Sequence, residues 1–149
     1  LERAHPALFR LLDLRRVFRL RSCVNTVCRM LNPGAAAASV QGVFHPSYRL
    51  LQAYAAALLG LNGLTVIKGG GGEFERHPSK EIAAFGLRQG GSWEKTFPAL
   101  CDETRRLSSD TARTWAHQTP TAFEAEIITG TKALALDTLG IPNTAEQAA

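Results

Sequence analysis

Two apolar runs separated by a helix-forming stretch, all within residues 39–67, largely decide what this chain can fold into. Residues 39–44 are typical of a short buried strand, and residues 64–67 are apolar and rich in β-branched side chains. Between them, residues 45–47 begin a helix that we expect to end near Leu59, with Gly60 as its C-terminal stop. The segment therefore predicts a βαβ unit with two parallel strands and a right-handed crossover.

The rest of the pattern predicts an α/β domain, a partial parallel sheet flanked by helices. The chain of 149 residues fits one domain by its length. In a helix over residues 6–20, Ala7, Leu11, Leu14 and Phe18 should form the buried face. The other predicted elements are a loop and short helix over 21–32, a strand over 82–87, a loop over 90–100, a short helix over 109–117 and a long helix over 120–139. Leu1 at the start and a capping-box pattern only a few residues before the end suggest a truncated chain.

The two predicted strands end at His45 and at Lys68, and both ends should open on the same edge of the sheet. Ligands of open α/β sheets bind outside the carboxyl ends of the strands, so this edge is the candidate site. Gly69, Gly70, Gly71 and Gly72 follow Lys68 and could form a loop whose backbone N–H groups approach an anion. A plain flexible turn is the alternative interpretation.

Positive charge is concentrated near the N-terminus and comes from arginine. Residues 1–32 hold seven arginines and two acidic residues, a balance of 7 − 2 = +5, whereas the remaining residues hold 10 basic and 11 acidic side chains, a balance of −1. On a helix Arg15, Arg16 and Arg19 would share an arc of roughly 100°. Guanidinium groups match phosphate and carboxylate geometry, so we expect an anionic partner, with an ordinary solvated helix face as the alternative.

Other features narrow the class of protein. The three cysteines form no CxxC pair and no signal peptide is evident, which favours reduced thiols in the cytoplasm. No apolar run approaches the roughly 20 residues that span a bilayer, so we expect a soluble protein without a membrane partner. No nucleophile and base stand at a spacing that indicates a catalytic triad. Glu73 and Glu75 could share a cation, although surface carboxylates usually bind none.

Between residue 5 and about residue 76, several short sequence blocks together suggest a family. The blocks are His5-Pro6-Ala7-Leu8, Leu14-Arg15-Arg16, Leu20-Arg21-Ser22 with Asn25, Leu31-Asn32-Pro33, Val40-Gln41-Gly42-Val43-Phe44-His45-Pro46 and Lys68-Gly69. In this order they resemble the anthranilate phosphoribosyltransferases, of glycosyltransferase family 3.

The resemblance implies a nucleoside phosphorylase/phosphoribosyltransferase C-terminal domain, without the family's N-terminal helical domain and without its phosphoribosyl-binding glycine motif. It also implies that His5 and Arg15 contact the aromatic acceptor. The family's magnesium-holding Asp-Glu pair falls on Phe74 and Glu75. Phenylalanine cannot ligate a cation, so Glu75 alone remains as a doubtful metal ligand.

The segment from Lys68 to Pro78 is more similar to a paralogous group of DNA-binding proteins that keep the fold, dimerise and lack the biosynthetic activity. By this resemblance we expect a non-enzymatic homodimer that binds nucleic acid without sequence preference and needs no cofactor. The phosphate-binding candidates are Arg15, Arg16, Arg19, Arg21, Lys68 and Arg76. The alternative is an Mg²⁺-dependent enzyme that transfers a phosphoribosyl group from phosphoribosyl pyrophosphate to anthranilate or a related acceptor. A third interpretation is that the 149 residues have no function when isolated from a longer protein.

Overall fold

A computed structural model describes residues 2–3, 5–20, 22–70, 73–103 and 119–142 of the chain. The contacts divide the chain into two compact units, Leu1–Ala35 and Ala36–Ala149. The short helix predicted over residues 109–117 lies outside the described residues, as do Arg21, Gly71 and Gly72.

The first unit contains helix α1 (Pro6–Phe18), helix α2 (Cys23–Val27) and a single 3₁₀ turn (Cys28–Met30). Pro6 occupies the first turn of α1, as predicted, and α1 ends where Arg19 adopts a left-handed conformation with φ of 57°. The predicted buried face is wrong for α1, because none of its residues is buried in the structure. The periodicity of α1 is therefore that of a helix, but the four apolar residues of the predicted face lie exposed.

The predicted βαβ unit is present in the second unit. It consists of strand β1 (Ala38–Val43), helix α3 (Tyr48–Leu58) and strand β2 (Gly63–Lys68). β1 and β2 are parallel and pair in register from Ala38 opposite Gly63 to Val43 opposite Lys68. Gly60, with φ of +73°, follows the end of α3, so the predicted stop is confirmed.

The other half of the sheet is an antiparallel hairpin, which corrects the expectation of a parallel sheet. Strand β3 (Ile82–Arg88) pairs with β2 and strand β4 (Gly91–Phe97) pairs with β3, both in antiparallel fashion, in the order β1-β2-β3-β4. The predicted loop over residues 90–100 is wrong, since most of it is β4. Gln89 and Gly90 have φ of 52° and 78°, as the two-residue turn of a tight hairpin requires.

Helices cover both faces of the sheet in the second unit. Helix α3 packs on one face, where the core consists of Val43, Ala56, Leu64, Val66 and Leu87. Helix α4 (Ala122–Thr138), which begins with a Thr121–Glu124 capping box, packs on the other face. The core on that side consists of Ile67, Ile82, Ala84, Phe97 and Leu134. No helix within the described ranges is long and apolar enough to cross a membrane.

A candidate anion-binding cleft at the carboxyl edge of the sheet

The carboxyl ends of β1 and β2 lie side by side, as the sequence predicts. The N–H of Gly69 donates to the carbonyl oxygen of Val43 at 2.9 Å, which continues the parallel ladder one residue beyond Lys68. Gly69 is buried, and a Cβ built on it would overlap the backbone of Glu73. The loop therefore folds back onto the end of β2, and Gly69 is needed for this close approach rather than for flexibility.

Beside this strand end lies a cleft of about 480 Å³, within the size range of ligand-binding clefts. Its lining carries three permanently cationic side chains, one histidine and two carboxylates. The charged or titratable lining residues are Arg49, Lys68, Glu75, His77, Lys80 and Glu81, and Gly69, Gly70, Ile82 and Ala83 complete the wall. With a neutral histidine the charged side chains sum to +1 (three positive, two negative), so the cleft favours an anion modestly.

The three cations differ in what they can do. The guanidinium of Arg49 donates to the carbonyl oxygens of Ala83 at 2.8 Å and Pro46 at 3.1 Å, and it lies 4.8 Å from the centre of the Phe85 ring. Arg49 is thus held in place and ties α3 to β3. Lys68 and Lys80 are exposed, and within the described part of the chain neither forms an ion pair. These two ammonium groups are the ones that can reach a ligand.

Glu75 brings one carboxylate to the cleft. Its Oε2 atom is buried and has no hydrogen-bond partner in the structure. Phe74, at the position where the resemblance places the second acidic residue, has 50% of its surface exposed. Among the described residues no group of three histidine, cysteine or acidic side chains is arranged to hold a metal ion. Within the described ranges, the position of the resembling family's acidic pair thus keeps one carboxylate, that of Glu75.

Arg76 is not placed for the phosphate contact that the sequence suggested. Its side chain is completely buried, one guanidinium nitrogen donates to the carbonyl oxygen of Pro98 at 2.7 Å, and the group lies 5.1 Å from the centre of the Phe97 ring. Its backbone N–H donates to the hydroxyl of Thr131 at 3.0 Å. A side chain with no exposed surface cannot contact a nucleic acid, so Arg76 serves packing between β4 and α4.

In the first unit the candidate residues are exposed on or next to α1. Arg15 and Arg16 lie in its last turn and Arg19 follows at the C-cap. Arg16 forms an exposed ion pair with Asp13 at 3.0 Å, of the kind that contributes little to stability. His5 is the N-cap residue, ten positions before Arg15, so the two are separated by about 15 Å along the helix axis. The structure therefore does not bring His5 and Arg15 together on one turn.

The sequence did not indicate several of the residues that line the cleft. Lys80 and His77 were not predicted because they reach the cleft only through the antiparallel pairing of β3. Since β3 runs back from the edge where β2 ends, the segment before β3 returns to Lys68. If the sequence analysis had predicted an antiparallel hairpin over residues 82–97, it would have placed Lys80 and His77 near Lys68.

Comparison with known protein families finds none that matches the chain. A curated protein of Aquifex aeolicus (strain VF5), named only as an uncharacterized protein, is 39% identical over 75 residues. The match covers 50% of this chain and 24% of that protein. The chain thus spans about a quarter of the length of the relative that it matches.

Proposed function

We propose that the protein containing this chain binds nucleic acid through its phosphates, without sequence preference and without enzymatic activity. The observation that carries the proposal is the exposure of Arg15, Arg16 and Arg19 within five residues at the end of α1. Phosphate contacts by arginine supply most of the affinity in non-specific binding. The exposed ammonium groups of Lys68 and Lys80 add a second cationic surface in the second unit.

The non-enzymatic part of the proposal is supported by the composition of the cleft. An enzyme of the resembling family would need magnesium to neutralise its pyrophosphate leaving group. Phe74 stands where a carboxylate would be expected, and Glu75 supplies a single acidic ligand at most. We therefore expect anions to be held by cationic side chains. Dimerisation of the intact protein remains a prediction.

A salt titration of the intact protein tests this proposal. We expect fluorescence anisotropy with a labelled DNA duplex to show binding at low salt that weakens linearly on a log–log plot. Because each lost phosphate contact reduces the slope by about 0.9 for duplex DNA, Arg15→Gln should flatten the plot by about that amount. Lys132→Gln, which removes one positive charge from an exposed position of α4, is the matched control and should leave the slope unchanged. Absent or salt-independent binding would contradict the proposal.

The second candidate is phosphoribosyl transfer to an aromatic acceptor. The cleft at the carboxyl edge of a βαβ unit favours it, because this is where α/β enzymes bind their ligands. In the cleft Lys68 would contact a phosphate and Glu75 would contribute to holding Mg²⁺. The resemblance implies that His5 and Arg15 contact the acceptor. The intact protein is incubated with phosphoribosyl pyrophosphate, anthranilate and Mg²⁺ while acceptor fluorescence is followed. If the protein consumes anthranilate and the Arg15→Ala variant does not, phosphoribosyl transfer would replace nucleic-acid binding as the favoured function.

A further inference from the structure

We infer that two copies of the protein pair through the outward face of helix α3, so that each copy buries this face against the same face of the other. The face consists of Tyr48, Leu50, Leu51, Tyr54, Leu58 and Leu59. The inference goes beyond the proposed binding of nucleic acid, because it requires neither the arginines of α1 nor the cleft.

The polar side chains of α3 are distributed in the reverse of the way expected for a helix that faces water. The charged residue between Tyr48 and Leu59 is Arg49, whose guanidinium donates to the carbonyl oxygen of Ala83 on β3 at 2.8 Å. The amide of Gln52 is buried, and its Oε1 atom has no hydrogen-bond partner among the described residues. A surface helix normally directs its charged and polar residues to solvent. In α3 they lie on the inner side, and the outward face is left to leucine and tyrosine.

Leu51, Tyr54 and Leu58 form the centre of the outward face. Their spacing of three and four residues places them within an arc of roughly 60° on the helix. Their exposed fractions are 56%, 61% and 90%. The flanking side chains are Tyr48, which is 39% exposed, Leu50, which is 45% exposed, and Leu59, which is 67% exposed.

The size of this face matches one half of a stable protein interface. At about 200 Å² for a fully exposed large side chain, the six exposed fractions correspond to roughly 700 Å². Monomeric proteins rarely expose contiguous apolar patches larger than about a few hundred Å². A specific interface of standard size buries about 800 Å² on each partner. The outward face of α3 therefore supplies most of the area that one copy contributes to a stable dimer.

The absence of charge on this face favours a second copy as the partner. Apart from Arg49, which is held against β3, residues 48–59 carry no charged side chain. The face thus offers no cation to the phosphates of a nucleic acid or to anionic lipid headgroups. In a two-fold dimer the same face is present on both sides, so a charge near its centre would lie close to its own copy and repel it. An uncharged apolar face avoids this repulsion and is complementary to itself.

Sedimentation equilibrium of the intact protein tests the inference. We expect a dimer, and Leu58→Glu should raise its dissociation constant by about 30- to 1,000-fold, because the interface would bury two carboxylates without partners. Leu58 is exposed within one copy, so the circular dichroism spectrum of the variant should not change. Ile128→Glu is the matched control, because Ile128 is 47% exposed and lies on α4, which covers the opposite face of the sheet. This control should leave the dissociation constant within about 2-fold of the wild-type value.

A photo-cross-linker identifies what covers the face. The intact protein is prepared with p-benzoylphenylalanine in place of Tyr54, in an isotope-labelled and an unlabelled form, and the two forms are mixed and re-equilibrated before irradiation. Cross-linked peptides that join the two forms and include residues of α3 on both sides would support the inference. Cross-links confined to one form would mean that another segment of the same polypeptide covers the face, and they would overturn it.

Two other outcomes would also overturn the inference. The first is a wild-type protein that stays monomeric, and the second is a dimer whose dissociation constant is unchanged in Leu58→Glu. The salt titration of Arg15→Gln with duplex DNA is measured separately, so the binding of nucleic acid can be confirmed or refuted whatever the oligomeric state proves to be.

Discussion

Replacing Gly69 by alanine should test whether the loop after β2 is a packed structure or a flexible turn. A Cβ at Gly69 would overlap the backbone of Glu73: its nearest neighbour would be the Glu73 carbonyl oxygen, and the Glu73 nitrogen would lie 2.6 Å away. Neither group is the end of a flexible side chain, so the loop itself would have to move. Gly70 provides the matched control, because a Cβ there would meet only the Glu73 Oε2 atom at an ordinary 3.7 Å.

We expect the two substitutions to change the free energy of unfolding in different directions. Inserting one methyl group into a packed contact without room costs about 1–3 kcal/mol, so Gly69→Ala should lower the free energy of unfolding by that amount. At Gly70, where space is open and the backbone φ is not in the left-handed region, alanine reduces the freedom of the unfolded chain. Gly70→Ala should therefore be neutral or raise the free energy of unfolding by about 0.4–1 kcal/mol.

Urea denaturation of the two variants, followed by far-UV circular dichroism, measures this difference. The midpoint should fall for Gly69→Ala while the m-value stays constant, which indicates a change in stability rather than in the denatured state. Equal stability of Gly69→Ala and Gly70→Ala would refute the packed-loop interpretation and favour the flexible turn.

Three further predictions, with four substitutions, test the fold of the second unit by urea denaturation. Gly86→Ala would push a Cβ into the backbone of the neighbouring strand and should cost about 3 kcal/mol; a wild-type midpoint would contradict the β2–β3 pairing. Leu134→Ala, at a position with no exposed surface, should cost about 2–5 kcal/mol, whereas Leu139→Ala, 51% exposed, should cost less than about 1 kcal/mol; similar losses would mean that α4 faces the other way. Asp137→Asn weakens a 2.6 Å ion pair with Arg88 and should cost about 1–2 kcal/mol, and an unchanged stability would show that this pair is replaced by solvent.

The sequence predicted the elements whose burial follows a simple period. β2 and the second half of β1 are buried because helices cover both faces of the sheet, and α3 lies between the two strands in sequence with a glycine after its end. β4 was missed because it is an edge strand in which only Phe97 is buried, so its side chains show no regular alternation. The buried face expected for α1 failed for a different reason. A helical period shows that one side is apolar and does not show that the fold supplies a partner for it.

Only the part of the candidate site that lies at the ends of the parallel strands could be predicted from the sequence. Lys68, Gly69 and Gly70 follow from the rule that ligands bind at carboxyl strand ends. Lys80 and His77 depend on the direction of β3, which the sequence did not indicate.

The three arginines that the structure describes in the second unit share one structural role. This role explains why Arg76, which its charge suggested as a phosphate-binding residue, is buried instead. Arg49, Arg76 and Arg88 each donate to a backbone carbonyl oxygen, and each guanidinium lies over an aromatic ring, at 4.8, 5.1 and 3.6 Å from its centre. A planar, weakly hydrated guanidinium suits this combination of stacking and forked donation. In this unit the arginines therefore hold helices and strands together, and the exposed lysines Lys68 and Lys80 remain for a ligand. Substitutions at Arg15 and at Lys68 therefore test two different sets of cations, the exposed arginines of the first unit and the exposed lysines of the second unit.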